Sequence, residues 1–305
     1  MNKKIASAVI HKCFGFKKGE HLLIVTDDAT ERLAQTFYQA AQKEKIDCLL
    51  LKIPPLKMHG QEPPKEVTAA LKVTDIAILL TAMSLSHTKA RKLACTKYGT
   101  RMASLPGITE EICNRSIELN YTKLKQKVEK AARQLNKGRR MEIYTDRGTN
   151  LTMSIRGQKG FSDCGLYTRP GAFGNLPAGE ACIAPCEGTT NGRLVVDASA
   201  PMVGRLKRPK EIIIKHGLIQ NMPIPRIAKA IKPLGKCALN IAEIGLGFNP
   251  RAKVTGNILE DEKAERTGHL AIGANISFGG KISCPCHLDF VFFNPRVFID
   301  GRRMT

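Results

Sequence analysis

The chain has 305 residues, no tryptophan, and 48 Lys and Arg against 27 Asp and Glu, which gives a formal net charge of +21. This length suffices for two ordinary domains, each with its own core, and the sequence offers no run of about 18 apolar residues that would span a membrane. The apolar run near the amino terminus is too short for a signal peptide, and the ten cysteines form no C-x-x-C pairs. We therefore expect a soluble cytoplasmic protein that does not associate with membranes.

The excess of positive charge raises the question of a polyanionic partner. The basic residues cluster in short runs such as Arg205–Lys210, which are common on solvated loops and helix faces. Binding of single-stranded nucleic acid requires aromatic side chains on which bases stack, and the chain has only five Tyr beside its missing Trp. The sequence therefore does not favour nucleic-acid binding.

The first third alternates helical and strand patterns of apolar residues. The second predicted helix starts directly after Asp28, which is a candidate N-cap. In chain order, the predicted elements are a helix at Lys3–Cys13, a strand at His21–Thr26, a helix at Ala29–Lys43, a strand at Cys48–Ile53, a helix at Pro64–Lys72, a strand at Asp75–Thr81, a helix at His87–Tyr98 and a strand at Arg101–Leu105. Such alternation predicts an α/β domain with a parallel sheet, which we place at residues 1–118.

The remaining residues, 119–305, have a different character. A helix predicted at Tyr121–Leu135 links the two halves, and short apolar strands separated by Gly and Pro turns follow from Met141 onward. One further helix is predicted at Pro225–Ile231. No G-x-G-x-x-G or P-loop motif occurs, so no nucleotide cofactor is indicated. We expect a β-rich α+β domain that binds metal and carries the catalytic site.

The chemistry concentrates near the end of the chain. Alternate side chains of a strand share one face, so His287 and Asp289 would direct an imidazole and a carboxylate to the same point, among apolar neighbours. A buried carboxylate without a partner is costly, and this favours a divalent metal ion there. His269 is close in sequence, and Glu180 and Glu243 are expected in Gly- and Pro-rich turns between apolar segments.

Several motifs carry a resemblance to a known family. The chain resembles the thermophilic aminopeptidases, the family of aminopeptidase T and aminopeptidase S, strongly in its second half and more loosely in its first. The motifs, in matching order, are Asn175–Glu180, Gly188–Gly192, Ala242–Pro250, Glu260–Lys263, His269–Gly273 and His287–Phe290.

The resemblance implies a metallopeptidase that releases N-terminal amino acids from peptides, acts as a homodimer, and uses two divalent ions such as Zn, Co or Mn. Two such ions can share and activate a bridging water. The implied metal ligands are Glu180, Glu243, His269, His287 and Asp289, with Glu262 as a further ligand. Glu180 and Glu243 would also be the catalytic carboxylates.

Two further residues bear on the aminopeptidase hypothesis. A tyrosine that the family uses shortly after the first histidine is replaced here by Ile276. The free amine of a peptide substrate needs an acidic partner, and Glu187 is the candidate for this role.

Two alternatives remain open. His269, His287 and Asp289 also form a set suited to one Fe(II), as in mononuclear oxygenases, and ring-cleaving dihydroxypyridine dioxygenases resemble the same fold family. We favour the hydrolase because a single iron would leave Glu180 and Glu243 without a role. The third possibility is a catalytically impaired binding protein, suggested by the high charge and by Ile276.

Overall fold

The computed structural model describes residues 3–304, which form two compact units. The first unit comprises the residues up to Lys125 together with Asp163–Ala178, and the second comprises Gln126–Ser162 and the residues from Gly179 onward. This division differs from a single cut after residue 118, because Asp163–Ala178 returns to the first unit. No helix within residues 3–304 is long and apolar enough to cross a membrane.

The helices, in chain order, are α1 (Lys3–Ala8), α2 (Glu31–Lys43), α3 (Lys65–Val73), α4 (Lys89–Leu93), α5 (Glu110–Ser116), α6 (Tyr121–Lys137), α7 (Pro225–Ile231) and α8 (Ile258–Asp261). Short π-helical or 3-10 segments lie at Val9–Cys13, Ala94–Tyr98, Lys232–Leu239 and Ile276–Phe278. The strands are β1 (Leu22–Thr26), β2 (Cys48–Lys52), β3 (Ile76–Leu80), β4 (Arg101–Ser104), β5 (Arg140–Tyr144), β6 (Asn150–Ser154), β7 (Phe161–Asp163), β8 (Phe173–Asn175), β9 (Glu180–Ile183), β10 (Asn191–Val196), β11 (Ser199–Ala200), β12 (Gly204–Arg205), β13 (Lys210–Lys215), β14 (Leu218–Ile219), β15 (Ile241–Gly247), β16 (Thr267–Gly273), β17 (His287–Phe293), β18 (Arg296–Ile299) and β19 (Arg302–Arg303).

The first unit contains a five-stranded parallel sheet in the order β2-β1-β3-β4-β8. Every residue of β1 and β3 is buried, as expected for central strands that helices cover on both faces. Helix α2 contributes the buried side chains Leu33, Phe37 and Ala41, which recur with the period of one helix face. The predicted parallel α/β fold class is confirmed.

Local details differ from the predictions. Asp28 is not an N-cap, because α2 begins only at Glu31, after Thr30. The carboxylate of Asp28 instead pairs with Lys52 at 2.8 Å. Helix α5 was not predicted, and its N-cap is Thr109, whose hydroxyl accepts a hydrogen bond from the backbone of the first turn.

The second unit contains two seven-stranded sheets, which confirms the predicted β-rich character of this half. One has the order β14-β13-β10-β6-β5-β18-β19, and the other β12-β11-β17-β16-β15-β9-β7. The strands β9, β15, β16 and β17 are neighbours in the second of these sheets and pair antiparallel. We call the sheet that contains them the ligand sheet.

A buried carboxylate holds the returning segment Asp163–Ala178 together. Asp163 is 2% exposed, and its carboxylate accepts hydrogen bonds from the backbone nitrogen of Asn175 at 2.6 Å, the hydroxyl of Tyr167 at 3.0 Å and the backbone nitrogen of Gly165 at 3.3 Å. Strand β8, which extends the parallel sheet, lies within this segment. Asp163 therefore fixes the conformation of the turn that leads into β8.

We predict that Asp163→Ala lowers the free energy of unfolding by about 3 kcal/mol, because two buried donors and one partly buried donor lose their charged acceptor. Urea unfolding followed by circular dichroism measures this. Asp47→Ala is the matched control, since Asp47 lies in an exposed ion pair with His21 and should leave the transition unchanged. Equal transitions for the two variants would contradict the structural role of Asp163.

Candidate metal centre

The candidate ligands lie on one face of the ligand sheet because they occupy alternate positions of its strands. Glu243 on β15, Ala271 on β16 and Asp289 on β17 are directly opposite one another. His269 precedes Ala271 by two residues, and His287 precedes Asp289 by two. Three neighbouring strands therefore bring four ligand side chains to the same face.

Small residues stand opposite the large ligands. Gly245 faces His269, and a Cβ atom at Gly245 would overlap the imidazole ring. Gly273 faces His287, and Ala271 separates the carboxylates of Glu243 and Asp289. At Gly245 in particular, a larger side chain would exclude the ring of His269.

The predicted location of two glutamates was wrong. Glu180 and Glu243 were expected in turns, but Glu180 begins β9 and Glu243 lies within β15, and they are only 6% and 3% exposed. The glycines that suggested a turn, Gly245 and Gly247, lie on the ligand face of β15, where the approach of His269 and of the Ala264 carbonyl leaves no room for a side chain.

Three of the predicted ligands form a first group. The Nε2 atom of His287 lies 3.1 Å from Oε2 of Glu243 and 3.4 Å from Oδ1 of Asp289. One ligand atom from each of the three residues lies within 4.8 Å of the others. We call Glu243, His287 and Asp289 the triad.

The ring of His287 is oriented by a backbone contact. Its Nδ1 atom is 2.8 Å from the carbonyl oxygen of Ala274. A carbonyl only accepts, so Nδ1 carries a hydrogen, and Nε2, which faces the carboxylates, is the nitrogen that would lose its proton to bind a metal. This is the arrangement expected of a metal-ligating histidine, whose second nitrogen commonly donates to a carbonyl.

The other predicted ligands, Glu180, Glu262 and His269, form a second group. A lysine ammonium already lies between its carboxylates. Lys263 is 0% exposed, and its Nζ atom is 2.8 Å from Oε1 of Glu180 and in close contact with Oε1 of Glu262. Sequence reasoning assigned Lys263 no role, although its position beside Glu262 in a charged run was visible.

His269 lies between the two groups. Its Nε2 atom is 3.5 Å from Oε1 of Glu243 and 3.6 Å from Oε2 of Glu180. Its Nδ1 atom is buried and has no hydrogen-bond partner within residues 3–304, in contrast to Nδ1 of His287. His269 is therefore next to a carboxylate of each group, and its role as a ligand together with His287 and Asp289 stays a prediction.

The protonation of the cluster reflects this crowding of acids. Burial opposes ionisation of Glu243, but hydrogen bonds from His269 and His287 outweigh it and hold its pKa below the ordinary value. Burial also opposes protonation of both histidines, but the surrounding carboxylates raise the pKa of His269 to about 9 and that of His287 well above its ordinary value. Burial, with the nearby charges of Asp289 and Glu180, raises the pKa of Glu262 to about 8 despite the opposing lysine.

The donors and their negative charge suit a divalent metal ion. Four carboxylates, Glu180, Glu243, Glu262 and Asp289, face the single ammonium of Lys263, which leaves three negative charges when both imidazoles are neutral. One divalent ion reduces this excess to one, or to none if Glu262 is protonated. Two ions would instead leave a buried positive excess. Imidazole nitrogen and carboxylate oxygen are ligands suited to Fe, Zn or Mn.

Glu187 is not a member of either ligand group, and Ile276 carries no ligand atom. The Oε1 atom of Glu187 accepts hydrogen bonds from Nδ2 of Asn275 and the backbone nitrogen of Lys281. Ile276 is 53% exposed. Glu187 therefore contacts the segment that connects β16 to β17.

These features define a class of protein in which an α/β unit is followed by a β-rich unit that carries a candidate metal centre. The family model for NicX, described as 2,5-dihydroxypyridine 5,6-dioxygenase, matches residues 4–305. The chain belongs to this family.

Individual relatives agree with that assignment. The 2,5-dihydroxypyridine 5,6-dioxygenase of Pseudomonas putida is 24% identical over 253 residues, which is 77% of this chain and 71% of the relative. The solved structure of the 2,5-dihydroxypyridine dioxygenase from P. putida KT2440 has a TM-score of 0.86 and 19% identity, and the match covers 99% of this chain and 96% of that one. Wild-type AmpT from Thermus thermophilus has a TM-score of 0.72 and 14% identity, with coverage of 99% and 98%.

The assignment to the aminopeptidase family was therefore wrong, as were the predicted peptidase activity and hydrolase class. The family match supports the alternative of a ring-cleaving dioxygenase. AmpT has the same fold. The amine-binding role of Glu187 presupposed a peptide substrate and loses its basis.

We predict that Lys263→Met destabilises the metal-free protein by about 3–5 kcal/mol, because the carboxylates of Glu180 and Glu262 lose their buried counter-charge. Added Mn²⁺ should restore stability and bind with one more ion per chain than in the wild type. Thermal melting and equilibrium dialysis measure the two effects. The control is Lys127→Met, which removes an exposed partner of Glu265. If Lys263→Met has the same melting temperature and binds the same number of ions as Lys127→Met, the role of Lys263 is refuted.

We also predict that metal binding at the triad releases about one proton at pH 7, from His287. The surrounding carboxylates raise the pKa of His287 well above its ordinary value, which favours the protonated ring in the metal-free protein, and a divalent ion bound at Nε2 would displace that proton. Affinity should therefore fall as the pH decreases, about tenfold per pH unit for each proton. Titration calorimetry in buffers of different ionisation enthalpy counts the protons, and an affinity that is constant from pH 6.5 to 8.5 would contradict the prediction.

Proposed function

We propose that this protein is a mononuclear metal-dependent ring-cleaving dioxygenase, with one Fe(II) held by the triad of Glu243, His287 and Asp289. The observation that carries the proposal is the buried ammonium of Lys263 between Glu180 and Glu262. It gives those carboxylates a partner that is not a metal. The presence of the extra glutamates therefore no longer argues for two ions.

The triad offers one imidazole and two carboxylates, with His269 beside it as a possible further nitrogen ligand. An Fe(II) ion bound there would supply the one-electron chemistry that lets dioxygen react with an aromatic ring. The choice of Fe(II) over Mn or Zn rests on the family, because the donors suit all three.

The protein's own residues would prepare the substrate. His269 is positioned to hold a proton, since its Nε2 atom lies between the carboxylates of Glu180 and Glu243. A ring hydroxyl that loses its proton on binding would give it to such a base. Ala274 keeps the ring of His287 in one orientation, so that the triad is ordered before substrate arrives.

The proposed substrate is a hydroxylated nitrogen heterocycle of the dihydroxypyridine type. The support is the activity named for the family and for the relative from P. putida. An aromatic side chain also lies at the triad: the ring of Phe278 stacks on that of His287, with centroids 5.3 Å apart and planes 27° from parallel. A planar ring can stack beside these two.

A cytoplasmic location, a homodimeric assembly and the absence of nucleic-acid binding stay predictions from the sequence. The proposed function does not depend on any of the three.

The proposal is tested with anaerobically purified protein loaded with Fe(II). Elemental analysis should give about one iron per chain, and addition of 2,5-dihydroxypyridine in air should consume one O₂ for each ring opened. Glu243→Ala should lose both the iron and the oxygen uptake, because the triad loses one of its two carboxylates.

Glu211→Ala is the matched control, because Glu211 pairs with Arg193 on an exposed surface. It should retain iron and turnover. Two tightly bound ions per chain, or an iron-loaded wild type that neither consumes oxygen nor opens the ring, would overturn the proposal.

A further inference from the structure

The segment between β16 and β17 is organised around one buried amide. Asn275 is fully buried, and its side-chain oxygen accepts a hydrogen bond from the backbone nitrogen of Ile282 at 2.7 Å. Its backbone nitrogen and oxygen bond to Ile282, Phe278 and Gly280. Gly280 packs so closely on the amide that a Cβ atom there would overlap it. Asn275 therefore determines the path of the segment from residue 275 to residue 282.

The remaining donor of this amide is bound by Glu187, which lies far away in the sequence. Oε1 of Glu187 accepts from Nδ2 of Asn275 at 3.1 Å and from the backbone nitrogen of Lys281 at 2.8 Å. Partial burial opposes ionisation of Glu187, but these hydrogen bonds outweigh it and lower the pKa of the carboxyl. One carboxylate thus joins both arms of the segment.

The same segment contacts the triad at two points. Ala274, the neighbour of Asn275, provides the carbonyl that orients His287. The backbone nitrogen of Phe278 donates to the backbone oxygen of Asn275, and the ring of Phe278 stacks on the ring of His287. The position of Asn275 therefore affects the ring of His287 in two ways. One is the carbonyl of the adjacent Ala274, and the other is the stacked ring of Phe278.

We infer that Glu187 is a positioning residue, which holds Asn275 and thereby orients the metal ligand His287 without coordinating the metal itself. The inference rests on the triad of the proposed function. It assigns Glu187 to support of the metal centre, in place of contact with substrate. Because Glu187 lies on a partly exposed turn outside the strands, its removal should disturb the segment more than the fold.

The test uses Co²⁺ alone as a probe, without substrate or oxygen. Glu187→Ala should raise the dissociation constant for Co²⁺ about tenfold, the usual lower range for loss of a group that orients a ligand, and should change the visible spectrum of the bound ion. Glu187→Gln keeps an acceptor oxygen and should restore both properties. Asn275→Asp, which has the same shape but no side-chain donor, should weaken binding at least as much as Glu187→Ala.

Glu211→Ala serves again as the surface control and should bind Co²⁺ as the wild type does. Melting temperatures measured without metal separate a local effect from unfolding. If Glu187→Ala binds Co²⁺ within twofold of the wild type, or loses metal only as far as it unfolds, the inference is overturned. Failure of the proposed function would look different. A wild type that binds Co²⁺ but, when loaded with iron, opens no ring would contradict the proposed function and leave the inference intact. A wild type that binds no Co²⁺ would contradict the triad as a metal site and so overturn both.

Discussion

The buried charge of Lys263 is the constraint on which the metal centre depends. Four carboxylates from three strands and one short helical turn converge in a region that water scarcely reaches, and each would lose several kcal/mol of hydration without a positive partner. The ammonium of Lys263 lies between Glu180 and Glu262 and offsets one of their two negative charges. Glu243 and Asp289 remain for an exchangeable cation. The lysine therefore divides one crowded cluster into a closed ion-pair site and an open ligand site.

The sheet explains how such a cluster can be assembled. A strand pair spaces opposite side chains only about 5 Å apart, so ligands on neighbouring strands meet only when the residues between them are small. Ala271 separates Glu243 from Asp289, and Gly245 admits the ring of His269. These small residues are as necessary to the site as the ligands, because a larger side chain at either position would separate the carboxylates or displace the ring.

Much of this could be predicted from the sequence. The period-two spacing of His287 and Asp289 indicated one strand face, and apolar periodicity located four of the five parallel strands of the first unit within one or two residues, but not β8. The surroundings of Glu243 could not be inferred in the same way. Its neighbours Gly245 and Gly247 have the composition of a turn, and only the pairing with β16 shows that they are the small residues of a buried strand face. The return of Asp163–Ala178 to the first unit likewise depends on tertiary contacts.

The wrong family assignment has a physical explanation of the same kind. Histidine and acidic motifs record which donors a sheet can present to a metal site, and one fold can carry different activities. They do not record how many cations the site holds. That number depends on the charge balance, and here the balance is changed by Lys263, a residue that is not itself a metal ligand. A search for ligands alone therefore counts Glu180 and Glu262 toward a second ion, whereas their contact with a buried ammonium assigns them to an ion pair.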